Sequence, residues 1–326
     1  MKRILLTGGA GFIGSHVAET LIRRGMKLSI VDNLDNFYAP GRKRLNLEEI
    51  RNAGSYEFFE ADVRVMDALR KVAARVQPEI VIHLAARAGV RPSIEQPALY
   101  ESVNVGGTVN LLEIARQFKV QRLIFGSSSS VYGITNSVPF CEADLKTRPI
   151  SPYAATKLAA ESMCYTYTHL YGLTAICLRF FTVYGPRQRP DLAIHKFTAL
   201  IESGKPIPVY GNGSMGRDYT YVDDIVAGVV ASLGYTPDPK LPFEIFNLGN
   251  SHPVRLRELI AQLEAATGKK AVQERLPVQP GDVPITWANI DKAKRLLGYS
   301  PQTSMEQGLR NFVAWYRSSL AGAGHG

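Results

Sequence analysis

Six short apolar runs, at residues 3–7, 28–32, 56–60, 79–84, 122–127 and 175–179, alternate with longer helix-periodic stretches at 12–24, 42–52, 66–76, 99–118 and 152–170. Each run is too short for a helix and is apolar on both faces, which marks a strand covered above and below. Strands that alternate with helices predict an α/β fold built on a doubly wound parallel sheet, in which ligands bind beyond the carboxyl ends of the strands. After Gly185 the rhythm breaks: Pro186, Pro190, Pro206 and Pro208, then Gly211, Gly213 and Gly216, mark a loop-rich region. A helix at 223–233 and a strand at 243–248 are expected to rejoin the sheet, and an amphipathic helix at 305–318 closes the chain. No repeat or low-complexity linker separates two beads. The expected units are therefore interleaved: 1–185 with about 218–250 as the sheet domain, and about 186–217 with 251–320 as a smaller mixed α/β substrate-binding lobe. The glycine-rich end, 321–326, is expected to be a flexible tail.

Charge narrows the field of partners. Against 29 acids stand 38 lysines and arginines, a net +9 over 326 residues. The basic residues are interspersed with acids rather than gathered in a block, which argues against nucleic acid. No apolar run approaches the ~20 residues that cross a bilayer, which argues against a membrane. The first strand follows Met1-Lys2-Arg3 directly, leaving no room for a signal peptide. Cys141, Cys164 and Cys177 are odd in number and contain no Cys-x-x-Cys, so neither a disulfide framework nor a thiolate metal site is expected. The six histidines show no ligand spacing, so no metal is expected. A reducing, cytoplasmic setting fits this pattern.

The segment Thr7-Gly8-Gly9-Ala10-Gly11-Phe12-Ile13-Gly14 lies between the first strand and the first helix. Glycine allows the turn and lets backbone amides of Gly8, Gly11, Phe12, Ile13 and Gly14 approach a pyrophosphate at the positive end of the helix. The second strand ends in Val31-Asp32-Asn33, where a carboxylate accepts from adenosine ribose hydroxyls and repels a 2′-phosphate. No arginine follows Asp32 directly, so NAD is expected rather than NADP, on a Rossmann sheet. Asp62-Val63, after the third strand, either meets the adenine or caps the next helix.

Tyr153 and Lys157 stand four residues apart on one helix face. A free phenol titrates near ~10. A lysine one turn away, with a nicotinamide cation, would favour phenolate and make it a base at working pH. The spacing alone also fits an exposed helical pair. The serine run Ser127-Ser128-Ser129-Ser130 before Val131-Tyr132-Gly133 supplies the context, because hydroxyls at the carboxyl end of the fifth strand can steady a substrate proton.

On these residues the chain resembles the extended short-chain dehydrogenases/reductases, and within them the nucleotide-sugar epimerase/dehydratase group, from Lys2 to about Tyr316. The resemblance implies Tyr153 as acid/base, Lys157 as its partner and a ligand of the nicotinamide ribose, and Ser128 as the third catalytic member. It also implies that Leu84, Ala85 and Ala86 pass along the cofactor and that Asn104 supports the site from its helix.

The stretches 83–91, 179–186, 189–191, 217–224 and 279–283 resemble the UDP-glucuronate 4-epimerase branch most. Dehydratases of the group carry an acidic pair before Val-Tyr-Gly, and the decarboxylases a glutamate, where this chain has Ser129 and Ser130. UDP-glucose/galactose 4-epimerases show Asn at Thr182, Ala-Thr at Ser129-Ser130 and Arg at Gln279. All three reactions remain as alternatives to epimerisation of UDP-glucuronate to UDP-galacturonate. Physically, Ser129, Ser130 and Thr182 offer three hydroxyl donors to a C5 carboxylate, each a charge-assisted bond of ~1.5–3 kcal/mol. Serines there also fit a plain capping role. Arg189 and Arg217, with Arg87, are candidate diphosphate ligands, since guanidinium matches a pyrophosphate bidentately. Asp282 is a candidate for the uridine ribose and Tyr210 for the uracil. Val105, Val109 and Leu112 on one helix, and Leu158, Tyr165, Ala159 and Ala160 on another, would pair with their copies in a four-helix homodimer interface.

Overall fold

Each of the six apolar runs becomes a strand of one parallel sheet. The computed structural model describes residues 2–134, 138–144, 147–277 and 283–323. The strands are β1 (Arg3–Thr7), β2 (Lys27–Asp32), β3 (Glu57–Glu60), β4 (Ile80–His83), β5 (Arg122–Ser128) and β6 (Thr174–Phe180). Between them run α1 (Phe12–Arg23), α2 (Pro40–Ala53), α3 (Met66–Val76), α4 (Val90–Glu95), α5 (Pro97–Glu101), α6 (Gly107–Gln117) and α7 (Pro152–Tyr171). Beyond them come β7 (Thr182–Tyr184), α8 (Ala193–Glu202), β8 (Ile207–Tyr210), β9 (Gly216–Tyr221), α9 (Val222–Gly234) and β10 (Phe243–Leu248). The chain continues through β11 (Pro253–Arg255), α10 (Leu256–Thr267), β12 (Gln273–Leu276), α11 (Asp291–Leu297) and α12 (Met305–Ala323).

The sheet order is β10-β6-β5-β4-β1-β2-β3. The order reverses between β1 and β4, so the crevice for a ligand opens there. As expected, β10 rejoins the sheet, beside β6. Side chains alternate across the pleat. Ile4, Leu6, Ile82 and Ile124 join one apolar cluster with α1, α9 and α12, while Leu5, Val81, Leu123 and Phe125 join another with α3, α6 and α7. The loop-rich part forms a three-stranded sheet, β11-β9-β7, and a two-stranded one, β12-β8. Among the described residues no helix is long and apolar enough to cross a membrane.

Two expectations change. The stretch 99–118 is not one helix: α5 passes into a π-helical turn, Ser102–Gly106, before α6. The wider turn turns Asn104 inward, where its Nδ2 donates to the Arg87 carbonyl at 3.0 Å and to Thr156 Oγ1 at 3.0 Å. The closing helix runs on to Ala323, into the stretch read as flexible, because alanine sustains a helix that the intervening glycine only weakens.

Candidate active site

A cavity of about 470 Å³ runs along the carboxyl edge of the sheet across the point where strand order reverses. Gly8, Gly11, Phe12, Ile13 and Gly14 form one wall. Gly8 has φ +73°, and a Cβ there would lie 2.6 Å from the Ala85 amide nitrogen. A Cβ on Gly14 would lie 2.1 Å from the Gly8 carbonyl oxygen, so only glycine lets α1 start this close to the turn. Gly11 caps α1 without a side-chain bond, and no acid stands in the first turn. The loop therefore presents bare backbone amides and a positive helix end, which suits a pyrophosphate.

Asp32 closes β2 and is buried. Its carboxylate accepts from the amides of Ala10 (3.2 Å) and Leu34 (2.9 Å) and from Lys43 Nζ (3.2 Å). Asp62 accepts from Asn33 Nδ2 at 2.9 Å and from the Arg64 guanidinium, whose hydrogen bonds hold the carboxyl down at about 2. It does not cap α3, whose N-cap is Val65. Val63, Leu84, Ala85 and Ala86 complete the wall beside Asn33 and Asp62. The glycine cradle, the buried carboxylate at the end of β2 and the apolar flank all fit NAD.

At the other end the four serines diverge. Ser127 also borders the cavity, and its Oγ donates to Glu161 at 2.5 Å. Ser128 hydrogen-bonds the Tyr153 hydroxyl, and its Oγ accepts from the Ser130 amide at 3.2 Å. The hydroxyls of Ser129 and Ser130 line the cavity with Thr182 and have no partner among the described residues. Ser151 caps α7 by accepting from the Ala154 amide at 3.2 Å, which sets Tyr153 in the first turn beside Ser128. Burial raises the Tyr153 phenol, while the Ser128 bond and the charge of Arg189 pull it back. Lys157 Nζ donates to the Gly126 carbonyl at 2.7 Å, and burial lowers its ammonium to about 8. The Arg189 charge thus lowers the phenol from the cavity side.

A second cavity of about 160 Å³ adjoins the first and shares Ser129, Ser130 and Thr182 with it. Arg217 lies there with Ser151 and Thr286. Arg189 and Arg87 line the larger cavity. Arg189 is paired to Asp191 at 2.7 Å, and Arg87 to Asp35 at 2.9 Å. The ring of Phe37 lies between them, 5.0 Å from the Arg189 guanidinium and 5.3 Å from that of Arg87. The carboxylates lining the larger cavity are Asp32, Asp35 and Asp62, which belong to the ends of β2 and β3 or the loop after β2; the described lining of the smaller cavity holds none.

Some expected residues stand elsewhere. Tyr210 lines neither cavity and packs under the Arg91 guanidinium at 4.8 Å. Asp282 lies outside the described residues. Asn104 is buried behind the wall and accepts from the Arg87 amide at 2.8 Å, a supporting position. Leu112 and Ala160, read as interface residues, are buried in the core between α6 and α7, while Tyr165 is exposed. Lys43, Asp35, Phe37 and Tyr38 were missed, although they line the larger cavity; their one signal is the polar, aromatic segment straight after Asp32.

The comparisons with known proteins agree with this geometry. The profile of the GDP-mannose 4,6 dehydratase family matches residues 5–312. A UDP-glucuronate 4-epimerase of Thermodesulfobacterium geofontis is 44% identical over 322 residues, covering 98% of each chain. A crystal structure of UDP-glucuronic acid 4-epimerase from Bacillus cereus in complex with UDP-glucuronic acid and NAD superposes with a TM-score of 0.91 at 35% identity, covering 98% of this chain and 100% of that one. A UDP-glucose 4-epimerase from Thermotoga maritima with UDP-glucose superposes at 0.88 and 33%, covering 97% and 99%.

Proposed function

The chain belongs to the GDP-mannose 4,6 dehydratase family of short-chain dehydrogenases/reductases, and from that membership we propose that it is an NAD-dependent UDP-glucuronate 4-epimerase, an isomerase that yields UDP-galacturonate. One observation carries the choice of reaction. Among the described residues, three unengaged hydroxyls, on Ser129, Ser130 and Thr182, face the cavity beside Tyr153 with no carboxylate among them. A dehydratase needs acids there to move protons at C5 and C6; hydroxyl donors instead suit a substrate that brings its own carboxylate.

When bound, NAD supplies a reversible hydride acceptor at sugar C4. Tyr153, steadied by Ser128, takes the O4 proton as C4 gives up its hydride and the 4-keto sugar forms; once the sugar has turned and the hydride comes back to C4 on its opposite face, Tyr153 returns the proton to O4. Lys157 holds its ammonium beneath the phenol and toward the nicotinamide ribose. Asp32 receives the adenosine ribose hydroxyls, and Asp62 with Asn33 borders the adenine. The 4-keto sugar is a β-keto acid, which loses CO2 when its C5–C6 bond stands perpendicular to the carbonyl plane. Ser129, Ser130 and Thr182 hold the carboxylate away from that alignment. Arg217, in the smaller cavity, and Arg189 grip the diphosphate, so that the sugar can turn while the nucleotide stays.

Further parts of the reading are the interleaved units 1–185 with 218–250 and 186–217 with 251–320, a cytoplasmic setting, and a homodimer through the outer faces of α6 and α7, supported by exposed Tyr165, Leu170 and Tyr171. Incubation with UDP-glucuronate and no added oxidant should give UDP-galacturonate without CO2. A UDP-pentose with CO2, or turnover of UDP-glucose alone, overturns the reading.

A further inference from the structure

Beneath the catalytic residues lies a buried ion pair that the reaction as described does not use. Glu161 follows Tyr153 and Lys157 along α7 at the same four-residue spacing, so all three share one face of the helix. Arg179, from β6, clasps the Glu161 carboxylate with two bonds, Nε at 2.9 Å and a terminal nitrogen at 2.7 Å. Both side chains are buried, Glu161 at 3% and Arg179 at 4% exposure. The carboxylate also accepts from Ser127, the residue before Ser128, at 2.5 Å. The Arg179 guanidinium stacks on Tyr132 at 4.7 Å, and Tyr132 donates to Asn247 at 2.7 Å. Such a pair is costly to bury and gives no clear gain in stability over apolar packing. Its placement between the lysine and the serine run calls for a role.

We propose that Glu161 is a positioning residue of the active site: clamped by Arg179, its carboxylate holds Ser127 at the end of β5, and through it Ser128, and supplies the counter-charge that keeps Lys157 an ammonium in the dry interior. This rests on the reading of Ser128, Tyr153 and Lys157 given above. Among the described residues, the groups acting on Lys157 are, from α7, Glu161 and Cys164; from β6, Cys177; from β4, His83, held neutral by burial and hydrogen-bonded to Thr7 and Thr108; and from β5, the Gly126 carbonyl and the Phe125 ring at 4.8 Å. Burial draws the lysine down, and Glu161 is the foremost group opposing it. With Arg179 countering Glu161 and Lys157 countering a tyrosinate, charges alternate through the stack.

The test titrates Lys157 directly, by NMR of protein labelled with 13C at lysine Cε, its resonance assigned by loss in Lys157→Arg. Replacing the whole pair, Glu161→Gln with Arg179→Met, leaves no orphaned charge. It is expected to lower the Lys157 midpoint by about one pH unit and to move the alkaline limb of kcat by the same amount. Glu161→Asp, which keeps the charge, is expected to retain the parent midpoint. Ser127→Ala, with both charges in place, is expected to lower kcat about tenfold with KM unchanged. An unmoved midpoint in the folded double variant overturns the counter-charge role, and unchanged kcat in Ser127→Ala overturns the strand-end role, even where the double variant fails to fold. The titration needs no sugar, so inactivity of the parent toward UDP-glucuronate counts against the proposed reaction alone.

Discussion

Thr182→Val is the sharpest perturbation of the proposed specificity. The residue opens β7, opposite Tyr219, and lines both cavities, while its hydroxyl has no partner among the described residues. Valine keeps the shape and the strand preference, so the fold should lose nothing measurable, within about 0.5 kcal/mol. What goes is one donor to a substrate carboxylate. A charge-assisted bond of ~1.5–3 kcal/mol corresponds to a loss of about 10- to 150-fold in kcat/KM for UDP-glucuronate. For UDP-glucose, which has no carboxylate, the change should stay within about threefold, an effect below ~1 kcal/mol. Weaker restraint should also release CO2, as UDP-pentose beside the epimer. Chromatography of the nucleotide sugars with CO2 trapping, on parent and variant side by side, measures all three. Equal losses on both substrates would show that Thr182 merely shapes the pocket. No loss on UDP-glucuronate would remove the carboxylate from this wall altogether.

Other outcomes follow from the same coordinates. Gly14→Ala drives a methyl to 2.1 Å from the Gly8 carbonyl and should cost about 1–3 kcal/mol in urea unfolding, with NAD binding lost; intact NAD binding refutes the cradle. Gly308→Ala places Cβ 2.1 Å from the Tyr184 hydroxyl, a buried group without a partner among the described residues, so it should destabilise by a similar amount and Tyr184→Phe should recover part of it; no recovery refutes the clash. His83 is held at about 3 and His16 at about 4, both chiefly by burial, below the ~6.5 of an unfolded chain. Their contribution is therefore whole above pH ~6.5 and falls toward pH 4, by up to ~1.4 kcal/mol per unit for each, and His83→Asn should flatten a plot of unfolding free energy against pH. Phe37→Ala removes the ring between Arg87 and Arg189 and should shed NAD on gel filtration, read from cofactor content by absorbance; unchanged content denies the loop a retaining role.

What the sequence made legible is what local chemistry dictates. The glycine turn, Asp32, the serine run and the Tyr153–Lys157 face each lie within one strand–turn or one helix, so residue type and spacing suffice. Lys43 escaped because its partner Asp32 stands across a loop on another element. The Glu161–Arg179 pair escaped because only the packing of α7 on β6 brings it together. Helix periodicity placed Leu112 and Ala160 on an apolar face but did not say which apolar face meets the core and which meets a partner. In the loop-rich part, β7, β11 and β12 span three or four residues, too few for any period to show.

The division between the two ends of the cavity bears on why one fold can hold a cofactor firmly and a sugar loosely. At the adenosine end, Asp32 is paired with Lys43 and Asp62 with Arg64, at the ends of β2 and β3, so the protein's own contacts fix the cradle. At the sugar end the groups read as meeting the substrate carboxylate are single hydroxyls that rotate about one bond, each able to follow it as the ring turns, while Arg217 and Arg189 are read as holding the diphosphate. A guanidinium at the same place would bind the acid more tightly but in one orientation, and would hold one epimer at the expense of the other. Swapping Ser130 for arginine should accordingly tighten UDP-glucuronate binding while slowing interconversion; a variant that binds tighter and turns over as fast would show that loose holding is not what the reaction requires.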